Sequence, residues 1–185
     1  MGTLCYTATV SVDGYVNDAD GDFQWSGPGE DVFRFHIERM APISAEVLGR
    51  KTYQLMQYWD TDQDDWGADE QEFADRWRRI EHVVASSTLA PGDITSPTGR
   101  LVAALDLDAL AQLVADADGE IEIFGPTTAA PAIRAGMVTD FRFFIVPKVV
   151  GGGTRALPDD VDLDLDLVEL RTFENGITLL HYRAR

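Results

Sequence analysis

The chain has 185 residues, 15 Lys+Arg against 32 Asp+Glu, a formal net charge of −17 and a pI near 4.3. With 45% hydrophobic and 10% aromatic residues it has the material for a core, and its length suits one domain over residues 1–185 better than two domains or a disordered segment. Such acidity argues against nucleic-acid and anionic-membrane partners, because a nucleic-acid binder needs a basic stripe to displace condensed counterions and none is visible.

Cys5 is the only cysteine, which excludes an intrachain disulfide and any Cys-based zinc or iron–sulfur site and points to a reducing compartment. Met1 to Tyr6 has no basic n-region, and its Thr and Ser interruptions deny it the apolar run of a signal peptide or membrane helix. A soluble, cytoplasmic protein is the expectation.

Residues 4–12 alternate and are rich in Thr, Val and Tyr, which predicts a strand closed by the Asp13-Gly14 turn. After a long polar loop, Pro28-Gly29-Glu30-Asp31 starts a helix with acids in its first turn, and Val32, Phe35, Arg39 and Met40 recur at helical spacing. Ser44 to Leu48 reads as a short buried strand, Gly49 breaks it, and Arg50 to Tyr58 reads as a helix packing through Tyr53, Leu55 and Met56. The chain is acidic from Asp60 to Glu70 and helical from Gln71 to Ile80, with Phe73, Trp77 and Ile80 on one face. Val83-Val84-Ala85 is a short apolar strand ending at Ser86-Ser87, and a loop with Pro91, Gly92, Pro97 and Gly99 follows it. That loop leads to an amphipathic helix from Asp106 to Ala117, striped by Leu107, Leu110, Leu113 and Val114.

Glu120 to Phe124 is a strand running into Gly125-Pro126; Pro suits a first helical position, so residues 126–135 form a helix and residues 138–147 a long strand. Val161 to Leu167 alternates with period two, and Glu174-Asn175-Gly176 is a hairpin turn, so the tail reads as two antiparallel strands. Strands separated by helices and closed by a hairpin imply an α/β domain whose mixed sheet is mostly parallel with an antiparallel edge.

Three strand ends carry groups suited to an anion. Gly49-Arg50-Lys51-Thr52 places a glycine, two cations and a hydroxyl at a strand-to-helix junction, where N–H groups and the helix dipole favour negative charge and Arg50 adds a planar fork matched to phosphate. The same residues also suit a plain helix start with two solvated cations. Ser86-Ser87 and Gly125-Pro126-Thr127-Thr128 close two more strands, and each is equally compatible with an ordinary cap or helix start. If the strands are parallel, all three ends line one sheet edge, where nucleotides bind such folds.

Thr9-Val10-Ser11-Val12-Asp13-Gly14, Leu48-Gly49-Arg50-Lys51-Thr52-Tyr53, Ser86-Ser87, Phe124-Gly125, and Ile145-Val146-Pro147 leading to Gly151-Gly152-Gly153 occur in the order seen in the dihydrofolate reductase-like superfamily. The chain most resembles its riboflavin-pathway reductase branch, over nearly its whole length, and G-R-K-T-Y is the most specific piece. The resemblance implies a single-domain, three-layer dihydrofolate reductase-like fold and an NADPH-dependent reductase. In it Arg50 and Ser86-Ser87 hold the adenosine 2′-phosphate, with Lys51 beside them, and Gly49, Thr52 and the Gly125 turn take the pyrophosphate. Bottom-up chemistry agrees with NADPH over NADH, since the extra phosphate needs cations and donors whereas NADH typically meets an acid at the ribose. Family members usually carry a second glycine at Pro126; Pro has no N–H, so one phosphate donor is lost, and the hydroxyls of Thr127 and Thr128 are placed to compensate.

On the substrate side, Trp25 precedes Glu30 by five residues, resembling the tryptophan and acid with which dihydrofolate reductases grip a pterin. A carboxylate at Glu30, or its neighbour Asp31, suits the amino edge of a pyrimidine, and both suit the helix dipole equally. Asp13 is the other candidate acid, placed by the riboflavin-type opening beside the nicotinamide, although Asp-Gly is also an ordinary turn. Gly152 lets backbone approach a ligand and Arg155 could meet a substrate phosphate, or the segment is a flexible turn. Asp60 to Asp65 imitates half a calcium loop but has Asp65 where Gly is needed and Gln71 where Glu is needed. His36, His82 and His181 lack ligand spacing, so no metal is expected.

The expectation is therefore an oxidoreductase that passes a hydride from NADPH to a pyrimidine- or pterin-like small molecule, at a C=N or open-chain sugar carbon. The absence of an H-x-E with P-C-x-x-C motif excludes a fused deaminase of the cytidine type within this chain. The alternative is a non-catalytic nucleotide- or pterin-binding module on the same scaffold. A homodimer is expected from the apolar strand Phe141 to Val146.

Overall fold

The computed structural model describes residues 2–185. Its sheet has eight strands: β1 (Thr3–Ser11), β2 (Ile43–Gly49), β3 (Glu81–Ala85), β4 (Gly99–Val102), β5 (Glu120–Phe124), β6 (Asp140–Val146), β7 (Leu165–Thr172) and β8 (Thr178–Ala184). The spatial order is β4-β3-β2-β5-β1-β6-β8-β7. The first six strands pair in parallel, whereas β8 runs antiparallel to β6 and β7 antiparallel to β8. Helices α1 (Glu30–Arg39), α2 (Arg50–Met56), α3 (Ala68–Trp77), α4 (Leu107–Asp116) and α5 (Pro126–Arg134) cover the sheet, giving the three-layer mixed α/β architecture that the sequence predicts.

Period-two alternation sorts the side chains onto two faces. Leu4, Tyr6, Val10, Val47, Ile121 and Ile123 turn to one side and pack with Leu110 of α4 and Ala129, Ala132 and Ile133 of α5. On the other side Leu48 and Val84 meet Ile37 of α1, Tyr53 of α2, and Phe73 and Trp77 of α3. Trp77 is fully buried and stacks on the His82 ring at 3.8 Å. Truncating an aromatic so placed typically costs about 3–5 kcal/mol.

Several boundaries differ from the sequence reading. Residues 99–102, read as loop, form β4; this short edge strand sits next to turn-forming Pro97 and Gly99, and pairing with β3 outweighs those signals. Helix α3 starts at Ala68, upstream of the predicted Gln71, because the Glu70 side chain accepts the Gly67 N–H and caps the first turn. Helix α2 ends at Met56 and tightens into a 3₁₀ turn over Gln57–Asp60. Residues 161–164 are not strand; Val161 and Leu163 pack against the core from an irregular segment, and β7 begins only at Leu165. The strand Phe141 to Val146 is interior, with β1 on one side and β8 on the other, and Phe141 and Phe144 are buried, so the reason given for pairing through it fails. The edge strand β7, in contrast, exposes Leu167, Val168 and Leu170.

Candidate functional site

Because β2, β3 and β5 are parallel and in register, their C-terminal ends fall together. Gly49 is the partner of Ala85, and Leu48 of Phe124, so the Gly49-Arg50, Ser86-Ser87 and Gly125-Pro126 junctions share one sheet edge. Gly49 and Gly125 are the N-caps of α2 and α5. Gly125 has φ +84°, a conformation that favours glycine, and a Cβ there would stand 3.3 Å from the Thr52 hydroxyl. A Cβ at Gly49 would run into the Thr128 hydroxyl. Thr52, Thr128 and the two glycines therefore crowd one spot between two helix N-termini, where N–H groups and dipoles converge.

Beside this cradle a cavity of about 520 Å³ is lined by Arg50, Gln54, Gln57, Thr88, Leu89, Gly92, Asp93 and Thr95. Arg50 Nη1 donates to Thr88 Oγ1 at 3.0 Å, and Ser86 Oγ accepts from the N–H groups of Thr88 and Leu89 at 3.2 Å. Among the described residues Arg50 has no carboxylate partner within 4 Å. Asp93, the acid in the wall, is engaged by the Ala90 N–H at 2.7 Å. Ser87 is exposed at the rim, and Lys51 is exposed on α2. Thr88, Gln54 and Gln57 escaped the sequence reading; the Ser-Ser pair marked the neighbourhood but not which hydroxyl meets the arginine.

A second cavity, about 590 Å³, opens on the other side of the α2-to-3₁₀ segment, so that the adjacent residues Gln57 and Tyr58 line different cavities. Its wall comprises Pro28 to Glu30, Phe33 and Arg34 of α1, Tyr58 and Trp59, and Ala68 to Glu70 of α3. Phe33 stacks on Trp59 at 5.8 Å and on Phe73 at 5.3 Å, while Trp59 packs against Trp66 at 5.3 Å.

With that geometry in place, the comparisons with known proteins are decisive for the family. A model of the RibD C-terminal domain matches residues 3–179. The chain belongs to the RibD C-terminal domain family. Solved structures share its fold at low identity. A protein from Shewanella sp. PV-4 assigned to riboflavin biosynthesis is 20% identical with a TM-score of 0.75, covering 99% of both chains. The diaminohydroxyphosphoribosylaminopyrimidine deaminase/5-amino-6-(5-phosphoribosylamino)uracil reductase of Thermotoga maritima is 17% identical with a TM-score of 0.68, and the match covers 100% of this chain and 57% of that one. Dihydrofolate reductase from Enterococcus faecalis, complexed with NADP(H), is 14% identical with a TM-score of 0.63, covering 99% and 96%. A search of curated protein sequences found no match.

In this RibD C-terminal domain the expected acids have the following partners. Asp13 Oδ1 accepts the Val150 N–H at 3.1 Å and Oδ2 the Gly151 N–H at 2.8 Å, so both oxygens tie the β1 turn to the glycine loop. Partial desolvation raises its pKa, but hydrogen bonds from Ser11, Gly151 and Val150 outweigh that and leave it lowered. The Glu30 side chain is 90% exposed on the rim of the second cavity, 4.0 Å from Arg34. Asp31 accepts the Glu174 N–H at 2.7 Å and pins α1 to the β7–β8 turn. Trp25 packs with the Phe144 and Phe173 cluster, its Nε1 donating to the Asp22 carbonyl. Arg155 lies over Tyr15 at 5.1 Å and near Asp159 at 3.4 Å, and Gly152 stands in the same loop, open on its Cβ side. Trp25, Asp31, Gly152 and Arg155 line neither of the two cavities described; sequence order brought their loops into view but could not show where their side chains are already engaged.

The α1-facing side of the sheet holds a buried ionic cluster. Glu122, fully buried, accepts from Thr7 and from both Nη atoms of Arg39, and Arg142 forks onto Glu120 at 2.7 and 2.9 Å. Glu46, the register neighbour of Glu122, has no cation of its own: burial first, and then the Glu122 charge, push its pKa up to about 8 despite Arg39. His36 on α1, 4.5 Å from the Phe144 ring, is pushed down to about 3 by burial and by Arg39. His82 bonds Ser96 at 2.8 Å and His181 bonds Asp140 at 2.8 Å, which gives both histidines structural partners.

Proposed function

We propose that this RibD C-terminal domain is an NADPH-dependent reductase of a pyrimidine- or pterin-like small molecule. The observation that carries the reading is the convergence of three β-to-α junctions on one edge, with the unpaired Arg50 and the Ser86 and Thr88 hydroxyls beside them. These residues fit the cofactor: Arg50, Thr88 and Ser86 suit the 2′-phosphate, and Thr52, Thr128 and the N–H groups of Arg50 and Thr127 suit the pyrophosphate. When bound, NADPH supplies the hydride. The chain's own part is to hold the acceptor carbon, at a C=N or open-chain sugar carbon, against the cofactor. With Asp13 latched and Glu30 exposed, the proton that balances the hydride on nitrogen comes from solvent water.

The loss of the N–H at Pro126, together with the missing side-chain acid, favours one other reading, a non-catalytic nucleotide- or pterin-binding module. Steady-state oxidation of NADPH with ribosylaminopyrimidine and dihydropterin substrates separates the two: turnover supports the reductase, and tight cofactor binding with no turnover for either class supports the module. The reading includes the cytoplasm, where the buried Cys5 thiol stays reduced. It also includes a homodimer through the exposed apolar edge of β7, for which light scattering should give twice the chain mass.

A further inference from the structure

Strand β7 ends the sheet, so one of its edges pairs with β8 and the other is open. The Phe173 N–H donates to the Ile177 carbonyl across the hairpin, and antiparallel pairs alternate between bonded and unbonded along the ladder. Arg171 and Glu169 therefore turn their backbone groups to β8, whereas Leu170 turns its N–H and C=O to the open edge. A bulge between Leu167 and Glu169 breaks the two-residue period. It puts Leu167 and Leu170 on one face, beside Tyr182 and Leu180, and Glu169 and Arg171 on the other. Leu167, Val168 and Leu170 are 55, 48 and 60% exposed, and among the described residues no other strand or helix exposes more than one large apolar side chain.

Of the three charges on β7, Asp166 is taken by Arg185 at 2.7 Å, whereas among the described residues Glu169 and Arg171 have no opposite charge within 4 Å. Arg171 lies over the Phe35 and Phe173 rings at 4.7 and 5.2 Å, on the α1 side of the sheet. A two-fold axis normal to the sheet would run β7 antiparallel to its copy, and the residue on the axis then sets every pair. Centred on Glu169 or on Arg171, the register sets like charges directly opposite each other, which is unfavourable. Centred on Leu170, it sets Glu169 of each copy against Arg171 of the other, and brings Leu170 to Leu170 where both copies offer free backbone groups. No other register pairs both unlike charges.

We infer that a second copy of this chain docks on β7 with Leu170 on the two-fold axis and Glu169 of each copy paired to Arg171 of the other, which rests on the homodimer reading and adds its register. The Leu170 N–H of each copy donates to the Leu170 carbonyl opposite and joins the two sheets into one. The exposed leucines of both copies form a single apolar strip on the face away from α1, and the reciprocal ion pairs on the α1 face select this register over its neighbours.

Sedimentation velocity of the full chain over a concentration series reads the dimer dissociation constant. Glu169→Arg and Arg171→Glu each set two like-charged pairs across the axis and should weaken the dimer about ten-fold or more. In an equimolar mixture of the two variants every cross-axis pair is again unlike, so the mixed dimer should form about as tightly as the wild type. Leu170→Pro removes an N–H that faces the open edge and no bond to β8, so it should give a monomer whose circular dichroism matches the wild type. A wild-type dimer that both charge variants leave intact, or a mixture that associates no better than its components, overturns the register and leaves the homodimer standing. A monomeric wild type removes both, because the bulge and the charges then protect the edge. NADPH oxidation, measured separately, reports on the reductase reading in every case.

Discussion

Arg50 and Arg34 show how one side-chain type takes two roles according to its neighbours. Arg50 meets a hydroxyl and keeps its charge available, whereas Arg34 is forked onto Asp69 and has none to spare. Gly49 sets the tolerance of the same edge, since its missing Cβ makes room for the Thr128 hydroxyl. Gly49→Ala should lower thermal stability by about 1–3 kcal/mol through overpacking and weaken NADPH binding, and adding Thr128→Ala should recover most of the stability. Differential scanning fluorimetry of the single and double variants checks this; an unchanged melting temperature in Gly49→Ala contradicts the contact.

At the scale of elements, α5 is the instructive case. Pro126 occupies its first helical turn after Gly125 at φ +84°, which suits the helix start and removes one N–H from the anion cradle. Pro126→Gly restores that donor and should tighten NADPH binding a few-fold, measured by cofactor fluorescence; weaker binding would show that helix preorganisation matters more than the extra hydrogen bond. The sequence announced most elements because local pattern and tertiary need agree in them: the alternation of β1, the stripe of α4 and the Asn175-Gly176 turn each admit one reading. It was silent on β4, whose four residues gain their shape only from pairing with β3. For the site, glycines and hydroxyls at strand ends were visible because parallel strands put them on a common edge. Asp13, Glu30 and Asp31 are each competent in isolation, and only the fold shows Asp13 and Asp31 bonded to distant backbone and Glu30 in solvent.

For the whole molecule, charge acts on two levels. The surface carries the acidity, while the interior pairs Arg39 with Glu122 and Arg142 with Glu120 and leaves Glu46 as an unmatched carboxyl. Glu46 keeps its proton in the folded state up to pH about 8 but loses it near 4.5 when unfolded, so between those values the folded state binds more protons and stability falls as pH rises. At roughly 1.4 kcal/mol per pKa unit, the loss across that window is on the order of a few kcal/mol. His36 works in the opposite direction, since its pKa drops from 6.5 to about 3 on folding and stability falls as pH is lowered through that range. Urea denaturation from pH 5 to 8.5 should show Glu46→Gln removing the fall of stability with rising pH over the whole interval up to about pH 8, so that the opposite slope from His36 stands out below pH 6.5; a profile parallel to the wild type would mean that Glu46 is ionised in the fold. No described helix is long and apolar enough to cross a membrane.

The central claim is that three β-to-α junctions form one phosphate cradle in an otherwise electronegative chain, with Arg50 as its free cation. Equilibrium binding of NADPH and NADH to the wild type and to Arg50→Ala tests it most directly. The account predicts a wild-type preference for NADPH that falls by about ten-fold or more in Arg50→Ala, with NADH affinity nearly unchanged, as expected for a charged hydrogen bond worth about 1.5–3 kcal/mol. An intact preference in Arg50→Ala, or equal loss of both cofactors, would contradict it.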